Sequence, residues 1–179
     1  MTETKTAQPD MAAAMAEYAK YAAPGAHHEQ FGKLAGQWSV RMKHWVSADA
    51  PPSETEGTAE LKAIFGNRYL VQTYKGDFMG HPFEGMGITG HNNYRQEYNH
   101  LWLDSMGTAM MFSAGKSEDG GKTIVYTATM DDPGQGRKDV PFRMVEQRPD
   151  GNTIKVEMFC ADASGKEFQN MEIVYKRKS

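Results

Sequence analysis

The sequence predicts an all-β fold: a single antiparallel up-and-down β-barrel of about ten strands, with a short N-terminal helical segment before it. Three observations carry this expectation. From Trp38 onward, apolar and polar residues alternate in short runs with period two, the pattern of half-buried strands. Turn-forming residues separate those runs at regular spacing, as at Gly66-Asn67, Gly120-Gly121 and Pro149-Asp150-Gly151-Asn152. Helical periodicity is confined to the stretch before Gly36. An open sheet of ten strands would leave two raw edges, and closing it removes them; a flat sandwich is the alternative. A barrel of more than about eight strands is too wide for side chains alone to fill, so an internal cavity is expected.

Residues 1–26 read as a tail and helix, and residues 27–179 as the barrel domain. Residues 1–8 form a loose tail. Pro9-Asp10 suits a helix start, since proline is tolerated in the first turn and an acid favours the positive end. Met11, Met15, Tyr18 and Ala22 recur at helical spacing, and Pro24-Gly25 ends the run. This helix is a lid across a barrel mouth, a dimer contact, or a surface helix held down by its stripe. A second short helix, over residues 28–34, turns Phe31 and Leu34 inward.

The first strand puts Trp38, Val40, Met42, His44 and Val46 on one face. Further strands are expected over 57–65, 68–75, 83–91, 94–104, 108–113, 123–130, 138–147, 153–160 and 168–177. Pro141 marks an edge or a bulge in its strand. Gly80, Gly85, Gly87 and Gly90 thin out the fourth strand, for sharp curvature or for close approach of a ligand. On the last strand Met171, Ile173, Tyr175 and Arg177 share a face. An inward Arg177 at the final rung wants a partner, and the ring of Trp38 supplies one by cation–π stacking, about 0.5–2 kcal/mol.

Composition excludes several function classes. Twenty basic against 23 acidic residues leave a net charge of −3. No basic patch exists beyond Lys176-Arg177-Lys178, so no nucleic-acid partner is expected. The single cysteine, Cys160, cannot form an intramolecular disulfide and fits a reducing compartment. No leader-like segment and no apolar run near the ~20 residues of a spanning helix is read, so a cytoplasmic chain with no membrane partner is expected. His27-His28-Glu29, His44, His81, His91 and His100 show no recognised ligand spacing, so no metal site is expected, and no cofactor.

The candidate site is the barrel interior. Met42, Met86, Met130, Met144, Met158 and Met171 fall on separate strands. They either fill gaps in an ordinary core or form an adaptable lining for an apolar ligand. The fifth strand carries Tyr98, His100, Trp102 and Asp104 on one face. His100 and Asp104 stand about 13 Å apart along it, so neither completes an acid–base pair without a neighbouring strand. His44, Tyr74, Glu84, His91 and Tyr126 are candidate neighbours, either for proton transfer or for a buried polar network. The expected ligand-binding set is Met42, His44, Tyr74, Met86, His100, Trp102, Tyr126, Arg143, Met144 and Tyr175, with Leu101 also on the wall. Arg143, His44 and His100 are its polar anchors. Gly36, Trp38 and Arg177 are structural. The turn Asp104-Ser105-Met106-Gly107-Thr108 lies at the barrel rim, where a binding site would be built.

Gly36-x-Trp38 at the start of the first strand, with a basic residue closing the last, resembles the calycin barrels: lipocalins, fatty-acid-binding proteins and nitrobindin-like proteins. A longer set is more specific. Gly36-Gln37-Trp38, Gly66-Asn67-Arg68-Tyr69-Leu70, Phe83-Glu84-Gly85-Met86-Gly87, Trp102 to Thr108 and Met171-Glu172-Ile173-Val174-Tyr175 resemble the mainly bacterial domain-of-unknown-function family 1579, over about residues 27–177. The resemblance implies the barrel and no assigned activity. A nitrobindin-like haem site would imply an axial histidine on a late strand. No histidine follows His100, and Met158 or Tyr175 are weak substitutes. The reading is therefore a carrier of a small hydrophobic molecule. The alternatives are a barrel enzyme using a cavity histidine with a carboxylate, or a non-catalytic homodimeric interaction protein.

Overall fold

The computed structural model describes residues 10–179. The expected tail over residues 1–8, and Pro9, lie outside the described residues. Helix α1 (Met11–Ala22) begins at Asp10, whose carboxylate accepts from the Ala12 and Ala13 N–H groups. That satisfies donors a first helical turn leaves free. Met11, Met15 and Tyr18 are 60–70% exposed, so the stripe is not held down. Nor is α1 a lid on the mouth of the cavity described below. It lies along the outer wall, where Arg68 donates to the Ala22 carbonyl at 3.1 Å and Asn93 to the Tyr21 and Ala23 carbonyls.

Helix α2 (Ala26–Leu34) buries His28, Phe31 and Leu34 against the barrel. Ten strands follow: β1 (Gly36–His44), β2 (Ser53–Ile64), β3 (Tyr69–Phe78), β4 (His81–Asn92), β5 (Glu97–Asp104), β6 (Met111–Lys116), β7 (Thr123–Asp132), β8 (Arg137–Asp150), β9 (Thr153–Ala161) and β10 (Glu167–Arg177). Each pairs antiparallel with its sequence neighbours, and β1 pairs with β10 to close the barrel. Among the described residues no helix is long and apolar enough to cross a membrane.

Strand β2 begins four residues before the expected start, at Ser53, and two strands begin three residues late for local reasons. The Asn92 side chain accepts from the Tyr94 and Arg95 N–H groups, so the chain turns there and β5 starts at Glu97 rather than Tyr94. Asp104 accepts from the Met106 N–H and Ser105 Oγ from the Glu84 N–H. These bonds pull residues 105–110 out of the ladder, and β6 starts at Met111 rather than Thr108. Pro141 pairs with Thr129 on β7, while the β8–β9 ladder begins only at Phe142 and Cys160. Its missing N–H thus falls where β8 has a neighbour on one side.

One end of the barrel is packed solid. Trp38, Phe31, Ile124, Tyr98 and Tyr126 are fully buried there. Arg177 lies over the Trp38 ring at 4.4 Å and donates to the carbonyls of Lys33, Ala35 and Gly151. Gly36 has φ of 141°, and a Cβ on it would run into the Arg177 guanidinium. The Gly36-x-Trp38 motif thus leaves room for the arginine that joins β10 to α2.

Candidate functional site

The other end is hollow. A cavity of about 930 Å³ runs from mid-barrel to the open end. Six aromatic rings line it: Tyr74, Phe78, Phe83, Trp102, Phe142 and Tyr175. So do eight of the chain's 13 methionines, among them Met42, Met130, Met144, Met158 and Met171. Strand alternation places these side chains: Met42 follows Trp38 and Val40 on the inward phase of β1, and Ile173 and Tyr175 share that phase on β10. Unbranched thioethers shift easily, so this wall can adapt its shape.

The glycines of β4 have a specific role here. A Cβ on Gly85 would fall within the Trp102 indole, and one on Gly87 would stand 3.1 Å from His100 and 3.3 Å from Trp102. Close approach is therefore the reason for both, but the approaching group is the neighbouring strand's own tryptophan and not a ligand. The indole Nε1–H donates to Asp104 Oδ2 at 2.8 Å, which fixes the ring flat against β4.

A polar tier separates the cavity from the solid end. His100 Nδ1 and Thr89 Oγ1 share a hydrogen bond of 2.9 Å, and burial holds the imidazole below its usual pKa. The Gln72 amide donates to the Tyr175 hydroxyl at 3.0 Å. Glu146 accepts from Arg148 Nε at 2.7 Å, with both side chains largely buried. Arg148 in turn faces the rings of Phe31 and Tyr98. The buried hydroxyls of Tyr74 and Tyr126 have no partner among the described residues. Among the described residues no hydrogen bond joins His100 to a carboxylate, and His44 Nδ1 has no partner. The proton-transfer pair considered from sequence is not assembled at either histidine.

The rim is built by the loop 105–110, whose Met106 and Met110 are exposed, and by Asp131, Pro133 and Asp139. β6 pairs with β7 only over Ala114–Lys116. Toward the open end these strands part, beside the segment Thr129–Asp131 that lines the cavity. The turn singled out from sequence, Asp104 to Thr108, is therefore part of the cavity mouth.

Of the expected binding residues, Met42, Tyr74, His100, Trp102, Met144 and Tyr175 stand on the cavity wall. His44 faces inward at the end of β1 and packs edge-on against Phe78, 5.1 Å away. Tyr126 is completely buried beside His100, in the layer behind the wall. Three expectations need correction. Arg143 points outward, over the Phe159 ring at 3.9 Å and paired with Glu167 at 2.6 Å. Its neighbour Met144 holds the inward phase, and consecutive strand residues face opposite sides. Met86 is 40% exposed on the outer face, between the inward glycines 85 and 87. Leu101 also faces out, across from Ile88 and Phe112 beside the α1 groove.

Sequence reasoning missed Gln72, Glu146, Asp131 and Asp139 on the wall and rim. A signal existed for Glu146, which shares a phase with Phe142 and Met144. It also missed the cluster at the solid end, where His27 and His91 stack at 4.1 Å and Tyr98 hydrogen-bonds His27 at 2.7 Å.

A closed ten-stranded barrel, plugged at one end and hollow at the other, defines the class of protein. The family model described as protein of unknown function DUF1579 matches residues 23–177, and the chain belongs to that family. No curated protein matches it. Solved structures of similar fold include Rv2717c and a phycobiliprotein lyase. Rv2717c from M. tuberculosis is 14% identical, with a TM-score of 0.64 over 88% of this chain and 100% of its own. The S-type phycobiliprotein lyase CPES from Guillardia theta is 11% identical, with a TM-score of 0.55 over 85% of this chain and 92% of its own.

Proposed function

We propose that the barrel binds a small hydrophobic molecule in its open half. The supporting observation is the cavity itself. Its ~930 Å³ falls within the range of about 300–1,000 Å³ usual for small-ligand pockets. Its wall combines a large apolar surface with a few convergent polar groups, Gln72, His100 and Tyr175 among them. An interior that served only stability would be closed by side chains, because empty space forfeits dispersion contacts. The likeness to a phycobiliprotein lyase is compatible with this reading and reaches no further than the fold.

Native mass spectrometry of freshly purified protein tests the reading. The expected result is an added mass on the folded species that is lost on denaturation, or taken up again from a mixture of apolar compounds. A bare chain mass that no apolar compound shifts, with no change in tryptophan fluorescence, overturns it.

A further inference from the structure

The charges around the cavity narrow the ligand class. Four carboxylates line it: Asp104, Asp131, Asp139 and Glu146. Among the described residues lining it there is no lysine and no arginine. Arg143, the arginine expected to anchor an anionic head group, is on the outside, held by Glu167. Glu146 is matched by Arg148, which lies behind the wall. The other three stand at the mouth, and none forms an ion pair among the described residues. Asp104 accepts from the Trp102 indole and the Met106 N–H, and Asp131 from the Asp139 N–H at 3.1 Å. These donors are neutral, and the three carboxylates have no salt-bridge partner among the described residues.

The Tyr74 ring lines the cavity, while its hydroxyl lies against the strand wall, where a Cβ on Gly57 or Gly76 would run into it. The cavity rings add a further preference, since the faces of Trp and Tyr attract cations and repel anions.

Resting on the carrier reading above, we infer that the ligand is an apolar molecule bearing a protonated amine. Its hydrocarbon part lies among the methionines and aromatic rings. Its ammonium group stays at the mouth, near Asp104, Asp131 and Asp139, where water still reaches it and desolvation costs least. A fatty acid carboxylate at the same place would meet three like charges and no cation.

The test uses three probes with one hydrocarbon chain and different heads: dodecylamine, dodecanol and dodecanoate. Binding to the full-length protein is measured near neutral pH by calorimetry and tryptophan fluorescence, below the concentrations at which the probes aggregate. The expected order is amine, then alcohol, then carboxylate, with the amine about tenfold or more tighter than the carboxylate. In an Asp131→Asn/Asp139→Asn variant, which changes only exposed rim residues, the amine loses its advantage over the alcohol and the alcohol is unchanged. In Met144→Trp, which fills the cavity, the amine no longer binds. Dodecanoate binding as tightly as the amine overturns the charge inference and leaves the carrier reading intact, as does an amine that gains nothing over the alcohol. Amine binding that survives Met144→Trp places the probe on the acidic surface and also overturns it. No binding by any of the three overturns both.

Discussion

Gly85 is as much a part of the cavity wall as the rings around it. Its missing side chain lets the Trp102 indole lie on the β4 backbone, with the indole N–H on Asp104. Gly85→Ala is expected to push Trp102 into the cavity and to cost about 1–3 kcal/mol, the usual range for overpacking. Urea unfolding measures the cost, and a shift in tryptophan emission reports the moved ring. The histidines give a pH dependence of definite sign. Burial is the main cause that lowers the pKa of His27, His91 and His100, and the His27 and His91 charges would also oppose each other across their stack. A depressed folded-state pKa means the unfolded chain binds more protons. The stability these groups contribute is complete above their unfolded value of about 6.5 and is lost as pH falls through the lower folded values. Unfolding free energy is therefore expected to decline from about pH 7 to pH 5, and less steeply in His91→Gln. Equal slopes in the two proteins would remove the stacked pair from the explanation.

At the scale of elements, the joint between β10, β1 and α2 holds the solid end together. Arg177 touches all three, through the Trp38 ring and the carbonyls of Lys33 and Ala35. Arg177→Ala removes a cation–π contact and several charged hydrogen bonds, leaving those carbonyls to water. A loss of about 2–4 kcal/mol is expected, measured by chemical denaturation. Arg177→Lys should recover only part of it, because an ammonium cannot reach three carbonyls in the fork geometry of a guanidinium. This joint was legible in the sequence because parity on β1 and β10 is unambiguous: Trp38, Val40 and Met42 alternate with Gln37, Ser39 and Arg41. The phase of β8 was not. Phe142 and Met144 share their face with Glu146 and Arg148, while Val145 sits among the outward residues. A buried ion pair inside a strand looks like surface polarity, and so Arg143 was drawn inward with its neighbour Met144. On β4 the inward positions 85 and 87 carry no side chains, so the alternation pointed Met86 the wrong way. The loop 105–110 hid in the same manner, since the bonds of Asp104 and Ser105 that form it leave no period to read.

Over the whole molecule, close packing is divided unequally between the two ends. Ile124, at the solid end, is completely buried, whereas Met158, at the hollow end, is only partly buried and borders the void. A change of side-chain volume should therefore cost far more at the first site than at the second. Ile124→Ala leaves a cavity among rigid neighbours and is expected to cost about 2–5 kcal/mol. Met158→Trp adds atoms where none are packed, so its cost is expected to stay below about 1.5 kcal/mol. The two variants also separate stability from binding. A ligand that occupies the native barrel at a hundred times its Kd adds about 2.7 kcal/mol to the unfolding free energy. For a chain of this length each kcal/mol raises Tm by about 2–4 °C, so the native protein should gain roughly 5–10 °C. Ile124→Ala should start from a lower Tm and show the same gain, because the solid end does not meet the ligand. Met158→Trp should start near the native Tm and gain nothing, because the indole takes the ligand's place. Thermal unfolding of the three proteins with and without one binding probe makes the comparison. If Met158→Trp is stabilised as much as the native chain, the probe lies outside the hollow end, and the division of labour between the two ends of the barrel is wrong.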